Sequence, residues 1–287
     1  MTPSVASPGR LAVVPAHGIP APRLRRRPIG RSAIGAAREL GATAAAVWGA
    51  ASGLVQVAAH DTGPRAGGHR HSPTSLRDQV PTAAPVVLVH GFAASGASWF
   101  AVRRALCANG RTVVSFDYPP WASSVDELAD RLAQTVEDVL AATGAGKVHL
   151  VGHSLGGVII ALALTRDRLA ERVDLVVTIG SPFGGSPWAG MLPLAPLVRA
   201  LRPGSPLLRR LAAAPASAGI RWLAFAATHD PIVPAHRAVP QNRQATRVMI
   251  DASGHSGMLL HPEVIARIVA AASVGEEAAD PGAPLAA

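Results

Sequence analysis

The feature that most constrains the fold is an apolar stretch interrupted by a short turn that contains glycine. Residues 148–151 are Val-His-Leu-Val, typical of a buried strand, and residues 155–165 have the composition of an apolar helix. Residues 152–156, Gly-His-Ser-Leu-Gly, lie between them and have the form G-x-S-x-G. In this form a tight strand-to-helix turn exposes the serine hydroxyl, and the glycines allow strand and helix to approach closely. The pattern makes Ser154 a candidate nucleophile.

Ser154 has two interpretations, and the residues around the turn decide between them. The five-residue pattern occurs by chance in many unrelated chains, and a serine at this place can also act only as the N-cap of the next helix. The strand before the turn and the helix after it favour the nucleophile, since that is the context in which such a serine is exposed. The positive end of the helix dipole would also stabilise an oxyanion beside Ser154.

From residue 85 onward, short apolar runs alternate with amphipathic stretches. The pattern predicts strands over residues 86–89, 112–116, 148–151, 173–179, 220–226 and 246–250, and helices over residues 99–109, 125–142, 155–165 and 262–272. Strands that are separated by helices form βαβ units with parallel strands and right-handed crossovers. We therefore expect residues 85–272 to form an α/β domain with a mostly parallel sheet flanked by helices. Ligands of such sheets bind beyond the carboxyl ends of the strands.

The net charge of +9 would suggest a nucleic-acid partner if it were spread over the domain. Residues 1–78 contain ten arginines and three acidic residues, whereas residues 79–287 contain 17 basic and 15 acidic residues. The basic charge therefore belongs to the N-terminal region, and no nucleic-acid partner is expected. Proline, glycine and arginine without apolar periodicity predict a disordered basic arm over residues 1–35.

Residues 36–60 are predicted to form a helix, because bulky apolar residues recur at helical spacing in residues 40–59, a stretch without charged residues. Three interpretations remain open for it: a membrane span or signal anchor, a secretory signal, and an amphipathic helix on the domain or on a membrane surface. The sequence is compatible with membrane contact through residues 23–59, with export and with a cytoplasmic location. Residues 61–84 are expected to be a linker, and residues 273–287 a flexible tail.

A nucleophilic serine needs a histidine base within hydrogen-bond reach and a carboxylate that orients the base. In a sheet of this kind these groups follow strand carboxyl ends in the chain order serine, acid, histidine. Asp230 follows the predicted strand over residues 220–226, and His255 follows the predicted strand over residues 246–250. We therefore expect Ser154, Asp230 and His255 to form a catalytic triad.

Two other carboxylates fit the predicted triad less well than Asp230. Asp117 ends a strand that precedes Ser154, so its place in the chain order is wrong. Asp251 is the second choice for the acid, but it precedes His255 by only four residues and is expected to begin the same loop.

Two backbone N–H groups are expected to form an oxyanion hole. One belongs to Leu155, the residue after Ser154, and the other to Phe92 in the loop after the first strand. His90 in that loop is expected to be a structural hydrogen-bonding residue rather than a base. His153 is expected to contribute mainly its backbone.

The connection over residues 180–219 is longer than a minimal βαβ link requires, and it is rich in leucine. We expect a short helical cap or lid here, since such folds insert one at this place. The side chains expected to line an acyl pocket under this lid are Trp188, Met191, Leu192, Leu194 and Leu197. The alternative is a cap that buries its leucines permanently.

Five short motifs follow one another in a fixed order. They are Leu-Val-His-Gly-Phe at residues 88–92, the turn at residues 152–156, Thr-Ile-Gly-Ser-Pro at residues 178–182, Asp-Pro-Ile-Val-Pro at residues 230–234, and Gly254-His255. Together they resemble an α/β-hydrolase of the bacterial lipase and esterase group, over about residues 85–272. The chain departs from that pattern at residues 183–186, Phe-Gly-Gly-Ser, where many relatives have a histidine or a basic residue followed by Gly-Thr.

The resemblance implies the α/β-hydrolase fold and hydrolysis of carboxylic esters. Ser154 would attack the ester, His255 would transfer the proton, Asp230 would hold the imidazole, and water would release the acyl-enzyme. The expected partner is a small-molecule or lipid ester. An acyltransferase or an amidase would use the same triad, and a non-catalytic binding module tethered to a membrane is the alternative from another class.

No cofactor and no metal ion are expected for this chain. Cys107 is the single cysteine, so an internal disulfide is impossible and a cysteine-based metal cluster is not available. A cluster of calcium ligands is not evident in the sequence either.

Overall fold

The computed structural model describes residues 83–166, 168–190, 195–215, 219–240 and 245–274. The predicted basic arm, the helix over residues 36–60, almost all of the linker and most of the tail lie outside the described residues. The expectations for these segments therefore stay predictions. Within the described residues, no helix combines the length and the apolar character that crossing a membrane requires.

The described residues form a parallel sheet whose strands alternate with helices along the chain. Its strands are β1 (Val86–Val89), β2 (Val113–Phe116), β3 (Val148–His153), β4 (Val173–Ile179), β5 (Arg221–Ala227) and β6 (Ala245–Ile250). The strands lie across the sheet in the order β2-β1-β3-β4-β5-β6, and each neighbouring pair is parallel. The predicted parallel α/β architecture is confirmed. The main difference is that β3 continues to His153 instead of ending at Val151.

The helices occupy the segments between the strands and the segment after β6. They are α1 (Phe100–Ala108), α2 (Val125–Thr143), α3 (Leu155–Ala163), α4 (Pro196–Arg199), α5 (Pro206–Ala213) and α6 (Pro262–Ser273). The ends of α2 follow from local chemistry: the side chain of Ser124 accepts a hydrogen bond from the amide of Glu127, and Gly144 ends the helix at φ 71°. A proline in the first turn of α6 fits a position whose N–H has no partner within the helix.

One layer of helices covers each face of the sheet. Helices α2 and α3 pack on the face that includes Val87 and Val89, whereas α1 and α6 pack on the face that includes Val86 and Leu88. Because successive side chains of a strand point to opposite faces, β1 contributes to both cores and all four of its residues are buried. The continuous apolar runs in the sequence reflect this burial on two sides.

The leucines that the structure describes in the predicted lid are buried in the core. Leu197 is fully buried, and it belongs to the same apolar cluster as α2 and α3, together with Leu201, Leu207, Leu208 and Leu211. The side chain of Leu197 packs against the domain, and its place in an acyl pocket stays a prediction. The finding favours the alternative, a cap that buries its leucines.

The other predicted lid residues have different positions. Trp188 lies in a short 3-10 helix, Pro187–Gly190, and its residue surface is 47% exposed. Met191, Leu192 and Leu194 lie outside the described residues. Trp188 is thus the one predicted lid residue that the structure shows at the surface.

The first turn of α3 lies in close contact with the end of β1. A Cβ atom at Gly156 would be 2.1 Å from the carbonyl oxygen of Val89, and a Cβ atom at Gly152 would be 2.6 Å from the amide nitrogen of Gly157. These partners are backbone atoms, so they cannot turn aside as a side chain could. Both outer glycines of the G-x-S-x-G pattern are therefore required by packing.

Gly156→Ala tests this contact. The added methyl group must displace the backbone of β1, so we expect the free energy of unfolding to fall by about 3 kcal/mol or more. Gly146→Ala is the matched control, since a Cβ atom there meets no atom within 4 Å. Guanidinium unfolding of the two variants measures the difference, and equal stabilities would contradict the proposed contact.

Candidate active site

The candidate site lies where the direction of the chain connections reverses in the sheet. β1 and β3 are neighbours, but β2, which lies between them in sequence, is on the other side of β1. The connections from β1 and β3 therefore leave in opposite directions, and in open parallel sheets ligands bind beyond the carboxyl ends of the strands at such a place. Ser154 follows β3 at this place, and Gly91 and Phe92 follow β1.

Ser154 has a strained backbone conformation. Its φ of 52° and ψ of −121° are sparsely populated by residues other than glycine and cost on the order of 1–3 kcal/mol. The Ser154 amide donates a hydrogen bond of 2.9 Å to the carbonyl of Ile179, and the Ser154 carbonyl accepts one of 3.1 Å from Gly157. Ser154 is half-buried, whereas His153 and Leu155 on either side are buried. The turn thus keeps this serine more accessible than its neighbours.

Asp230 and His255 are brought together by the loops after β5 and β6. Nδ1 of His255 lies 2.7 Å from Oδ2 of Asp230, and the Asp230 side chain is completely buried. The other oxygen, Oδ1, accepts hydrogen bonds of 2.8 Å from the amides of Ile232 and Val233. Because Nδ1 donates its proton to the carboxylate, Nε2 of His255 has the lone pair that can accept a proton.

The other two carboxylates have surroundings unlike that of Asp230. Asp251 is exposed on the loop after β6. The side chain of Asp117 is 58% exposed and accepts a hydrogen bond from the amide of Gly96. A carboxylate that orients a buried imidazole must share its buried environment, and of these three Asp230 alone does so.

Of the two expected oxyanion-hole residues, Leu155 follows Ser154 directly and Phe92 follows Gly91, which lies beside Ser154. Leu155 begins α3, so its N–H belongs to the first turn, in which amides have no partner within the helix. Phe92 lies in the turn from Gly91 to Ala94, and a Cβ atom built on Gly91 would be 3.2 Å from Cβ of Ser154. The loop after β1 is therefore in contact with the serine turn.

His90 is a buried structural residue of the β1 loop. Its Nδ1 lies 2.8 Å from the Gly91 carbonyl, so Nδ1 has the proton, and its Nε2 accepts a hydrogen bond of 3.3 Å from the amide of Tyr118. The Tyr118 ring stacks on the imidazole at 4.2 Å between centroids. Burial lowers the pKa of His90, so the ring is neutral. These contacts favour a structural role over a role as base.

His153 has a side-chain contact that the sequence analysis missed. Its ring is buried, and Nε2 lies 3.1 Å from the main-chain carbonyl of His255. Burial, and after it the charge of His255, lowers the pKa of His153 to about 3. The motif places a histidine before Ser154, but the motif gives no indication that its ring would reach a loop a hundred residues later in the chain.

A second contact that the sequence analysis missed joins the cap to the Asp230 loop. The Ser186 hydroxyl donates a hydrogen bond of 2.6 Å to the carbonyl of Ile232, and Nε1 of Trp188 donates one of 2.8 Å to the carbonyl of Pro231. The amide of Trp188 in turn donates to the Ser186 hydroxyl. The start of the cap therefore holds the loop that contains Asp230. Ser186 belongs to residues 183–186, the segment in which the sequence differs from the lipases and esterases that it resembles.

The described side chains contain no cluster of metal ligands. Among the residues that the structure describes, no three histidine, cysteine, aspartate or glutamate side chains are close enough to bind one metal ion together. The chemistry available at the site is that of a hydroxyl, an imidazole and a carboxylate.

Comparison with known proteins identifies the architecture. A family model described as the alpha/beta hydrolase fold matches residues 84–219. A Bacillus licheniformis lipase in its mature form superimposes with a TM-score of 0.59 at 19% identity, covering 68% of this chain and 95% of the lipase. Aspergillus fumigatus lipase B superimposes with a TM-score of 0.58 at 21% identity, covering 71% and 55% of the two chains.

The chain has the α/β-hydrolase fold. The predicted resemblance to lipases and esterases is confirmed at this level. Triacylglycerol lipases from Pseudarthrobacter phenanthrenivorans and Burkholderia plantarii are each 35% identical over 117 residues, which is 37% of this chain. The aligned part spans only about a third of the relatives' own length, 35% and 31% respectively. The chain therefore has the α/β-hydrolase fold and resembles lipases in about a third of its sequence.

The buried histidines of this α/β-hydrolase predict acid sensitivity of the fold. Burial lowers the pKa of His90, His149 and His153 from the ordinary value of 6.5. Below that pH the unfolded chain binds protons that the folded chain does not bind, so the free energy of unfolding decreases as pH falls. For His153, with its folded pKa of about 3, the loss is about 2 kcal/mol between about pH 7.5 and about pH 5.

Guanidinium unfolding at these two pH values measures this loss. The control is His153→Gln, which does not titrate, so its stability should fall by about 2 kcal/mol less than that of the wild type over the same range. Identical pH dependence in the two proteins would show that His153 is not buried as a neutral side chain.

Proposed function

We propose that this chain is a serine hydrolase that cleaves carboxylic esters through an acyl-enzyme intermediate. The main support is the buried hydrogen bond of 2.7 Å between His255 and Asp230, in loops at the edge of the sheet where the strained turn at Ser154 lies. A fully buried carboxylate that orients an imidazole in this way is the arrangement that activates a serine hydroxyl. The names of the relatives, triacylglycerol lipases, agree with ester cleavage.

In the first half of the proposed reaction, Oγ of Ser154 attacks the ester carbonyl carbon. Nε2 of His255 takes the hydroxyl proton, and Asp230 stabilises the imidazolium that forms. The tetrahedral intermediate then collapses, the bond to the alcohol oxygen breaks, and His255 returns the proton to the leaving alcohol. Ser154 keeps the acyl group as an ester.

In the second half, a water molecule replaces the alcohol. His255 removes a proton from the water as it attacks the acyl-enzyme, and the proton then passes to Oγ of Ser154 as the carboxylic acid leaves. In both halves the amides of Phe92 and Leu155 donate hydrogen bonds to the oxyanion. Their preorganised N–H groups would stabilise each tetrahedral intermediate without the rearrangement that water would need.

The proposed substrates are esters with an apolar acyl chain. Two exposed indoles support this choice: Trp121, 70% exposed, follows β2, and Trp188, 47% exposed, follows β4. Both follow strand carboxyl ends, so they are on the same edge of the sheet as Ser154. Exposed aromatic surface on the sheet edge that contains the proposed nucleophile suits binding of an apolar chain better than binding of a small polar ester.

Ser154→Ala tests the proposed nucleophile. We expect loss of labelling by a fluorophosphonate probe and loss of p-nitrophenyl ester hydrolysis, while the circular dichroism spectrum stays that of the wild type. The wild type should hydrolyse butyrate and longer esters faster than acetate, because an apolar chain gains binding energy at the site.

Two results would contradict different parts of the proposal. Labelling that persists in Ser154→Ala would exclude Ser154 as the nucleophile. Wild-type rates that are highest with acetate and fall steeply for longer chains would retain the esterase but exclude the apolar substrate class.

Asp230→Asn tests the proposed acid, with Asp251→Asn as the matched control on the neighbouring loop. Asparagine favours the wrong tautomer of His255, so we expect kcat to fall by up to about 10⁴-fold. Because Asp251 is exposed, kcat of Asp251→Asn should stay close to that of the wild type. Steady-state kinetics with p-nitrophenyl butyrate measures both, and a larger effect of Asp251→Asn would reverse the assignment.

A further inference from the structure

His153 connects the serine turn to the main chain of the histidine loop. It is the last residue of β3, and Ser154 follows it directly. Its Nε2 lies 3.1 Å from the carbonyl oxygen of His255, and the centroids of the two imidazoles are 4.8 Å apart. One covalent neighbour and one hydrogen bond therefore link Ser154 to His255.

The other side of the His153 ring is in contact with the loop after β1. A Cβ atom built on Gly91 would lie 3.1 Å from Nδ1 of His153 and 3.2 Å from Cβ of Ser154. The ring thus fills the space between the β1 loop and His255. A smaller side chain would leave this space open, and the loops after β1 and β6 could approach or separate.

The ring and the main chain of His255 are held by different residues. Asp230 binds the ring at Nδ1, whereas His153 binds the main-chain carbonyl. A Cβ atom on Gly180 would be 3.1 Å from the same Nδ1, so the strand-end glycine of β4 lies against the ring. The hydrogen bond to Asp230 fixes the orientation of the imidazole. It does not by itself fix the distance between His255 and Ser154, which also depends on the position of the loop after β6.

The hydrogen bond to a carbonyl also determines which ring nitrogen of His153 has the proton. A carbonyl only accepts, so Nε2 must have the proton and donate it. Burial keeps the ring neutral, since it lowers the pKa of His153 to about 3. A neutral ring 4.8 Å from His255 does not repel the imidazolium that forms when His255 takes a proton.

We propose that His153 is a positioning residue, whose Nε2–H group holds the main chain of His255 at the distance from Ser154 that proton transfer requires. This inference rests on the proposed function, because it assigns a role in the same reaction. His153 touches neither the substrate nor the proton that moves, so it acts through His255.

The test compares His153→Gln with His153→Met. The amide nitrogen of glutamine is the same number of bonds from Cβ as Nε2 of histidine, so glutamine can keep the donor, whereas methionine has a similar length without one. With p-nitrophenyl butyrate we expect His153→Met to lower kcat on the order of 10- to 100-fold at unchanged KM, and His153→Gln to retain kcat within about threefold. The acid limb of the pH profile should coincide in the wild type and His153→Gln.

A control and a second measurement separate positioning from a general effect on the fold. His149→Met removes another buried histidine of β3, at the opposite end of the strand, and should leave kcat unchanged. The NMR signal of the His255 Nδ1 proton, hydrogen-bonded to Asp230, should persist in His153→Gln and broaden in His153→Met. This measurement does not require turnover.

The outcomes distinguish the two proposals. Equal kcat and equal NMR signals in the wild type and His153→Met overturn the positioning role. Equal losses in His153→Gln and His153→Met at wild-type Tm overturn it as well, because the donor would then be irrelevant. If His153→Met does not fold, His153→Gln alone is the test. A wild-type Tm together with a strongly reduced kcat in His153→Gln would then overturn the positioning role. Absence of both labelling and turnover in the wild type overturns the proposed function instead, while the NMR comparison still tests the contact.

Discussion

The close contact between the first turn of α3 and the end of β1 determines the geometry of the candidate site. Only glycine fits at Gly156, because a Cβ atom there would be 2.1 Å from the carbonyl of Val89. At this separation the chain must pass from strand to helix within one residue, so Ser154 adopts a positive φ and lies beside Gly91. Burial of β1 on both faces keeps this contact in place and offsets the strain of on the order of 1–3 kcal/mol.

Hydrogen bonds satisfy the buried side chains of Asp230, His90 and His153. Both carboxylate oxygens of Asp230 accept hydrogen bonds, two from backbone amides and one from His255, which offsets the desolvation of a buried carboxylate. His90 and His153 stay neutral, and each has a carbonyl as hydrogen-bond acceptor. Ser186 and Trp188 bind carbonyls of the Asp230 loop, so the cap contributes to the same network. Loss of one member therefore affects the geometry of the others.

The parts of the fold that were predictable depend on local patterns. Apolar runs predicted every strand of the described sheet, and a strand such as β1, which is buried on both faces, needs apolar residues at successive positions. The pairing of Asp230 with His255 also followed, since parallel strands bring their carboxyl ends to one edge. The packing of Leu197 into the core was not predictable, because leucines at helical spacing show that one face is apolar but do not show which surface covers it.

The sequence by itself determined the order of strands and helices, the need for glycine on either side of Ser154, and the chain order of serine, acid and histidine. These features depend on side-chain size, on apolar periodicity and on the position of residues at strand ends. Only the tertiary structure decided that the His153 ring binds the carbonyl of His255 and that Ser186 binds the Asp230 loop. Such contacts join residues far apart in the chain, and their distances depend on how the strands and loops pack, which no local pattern specifies.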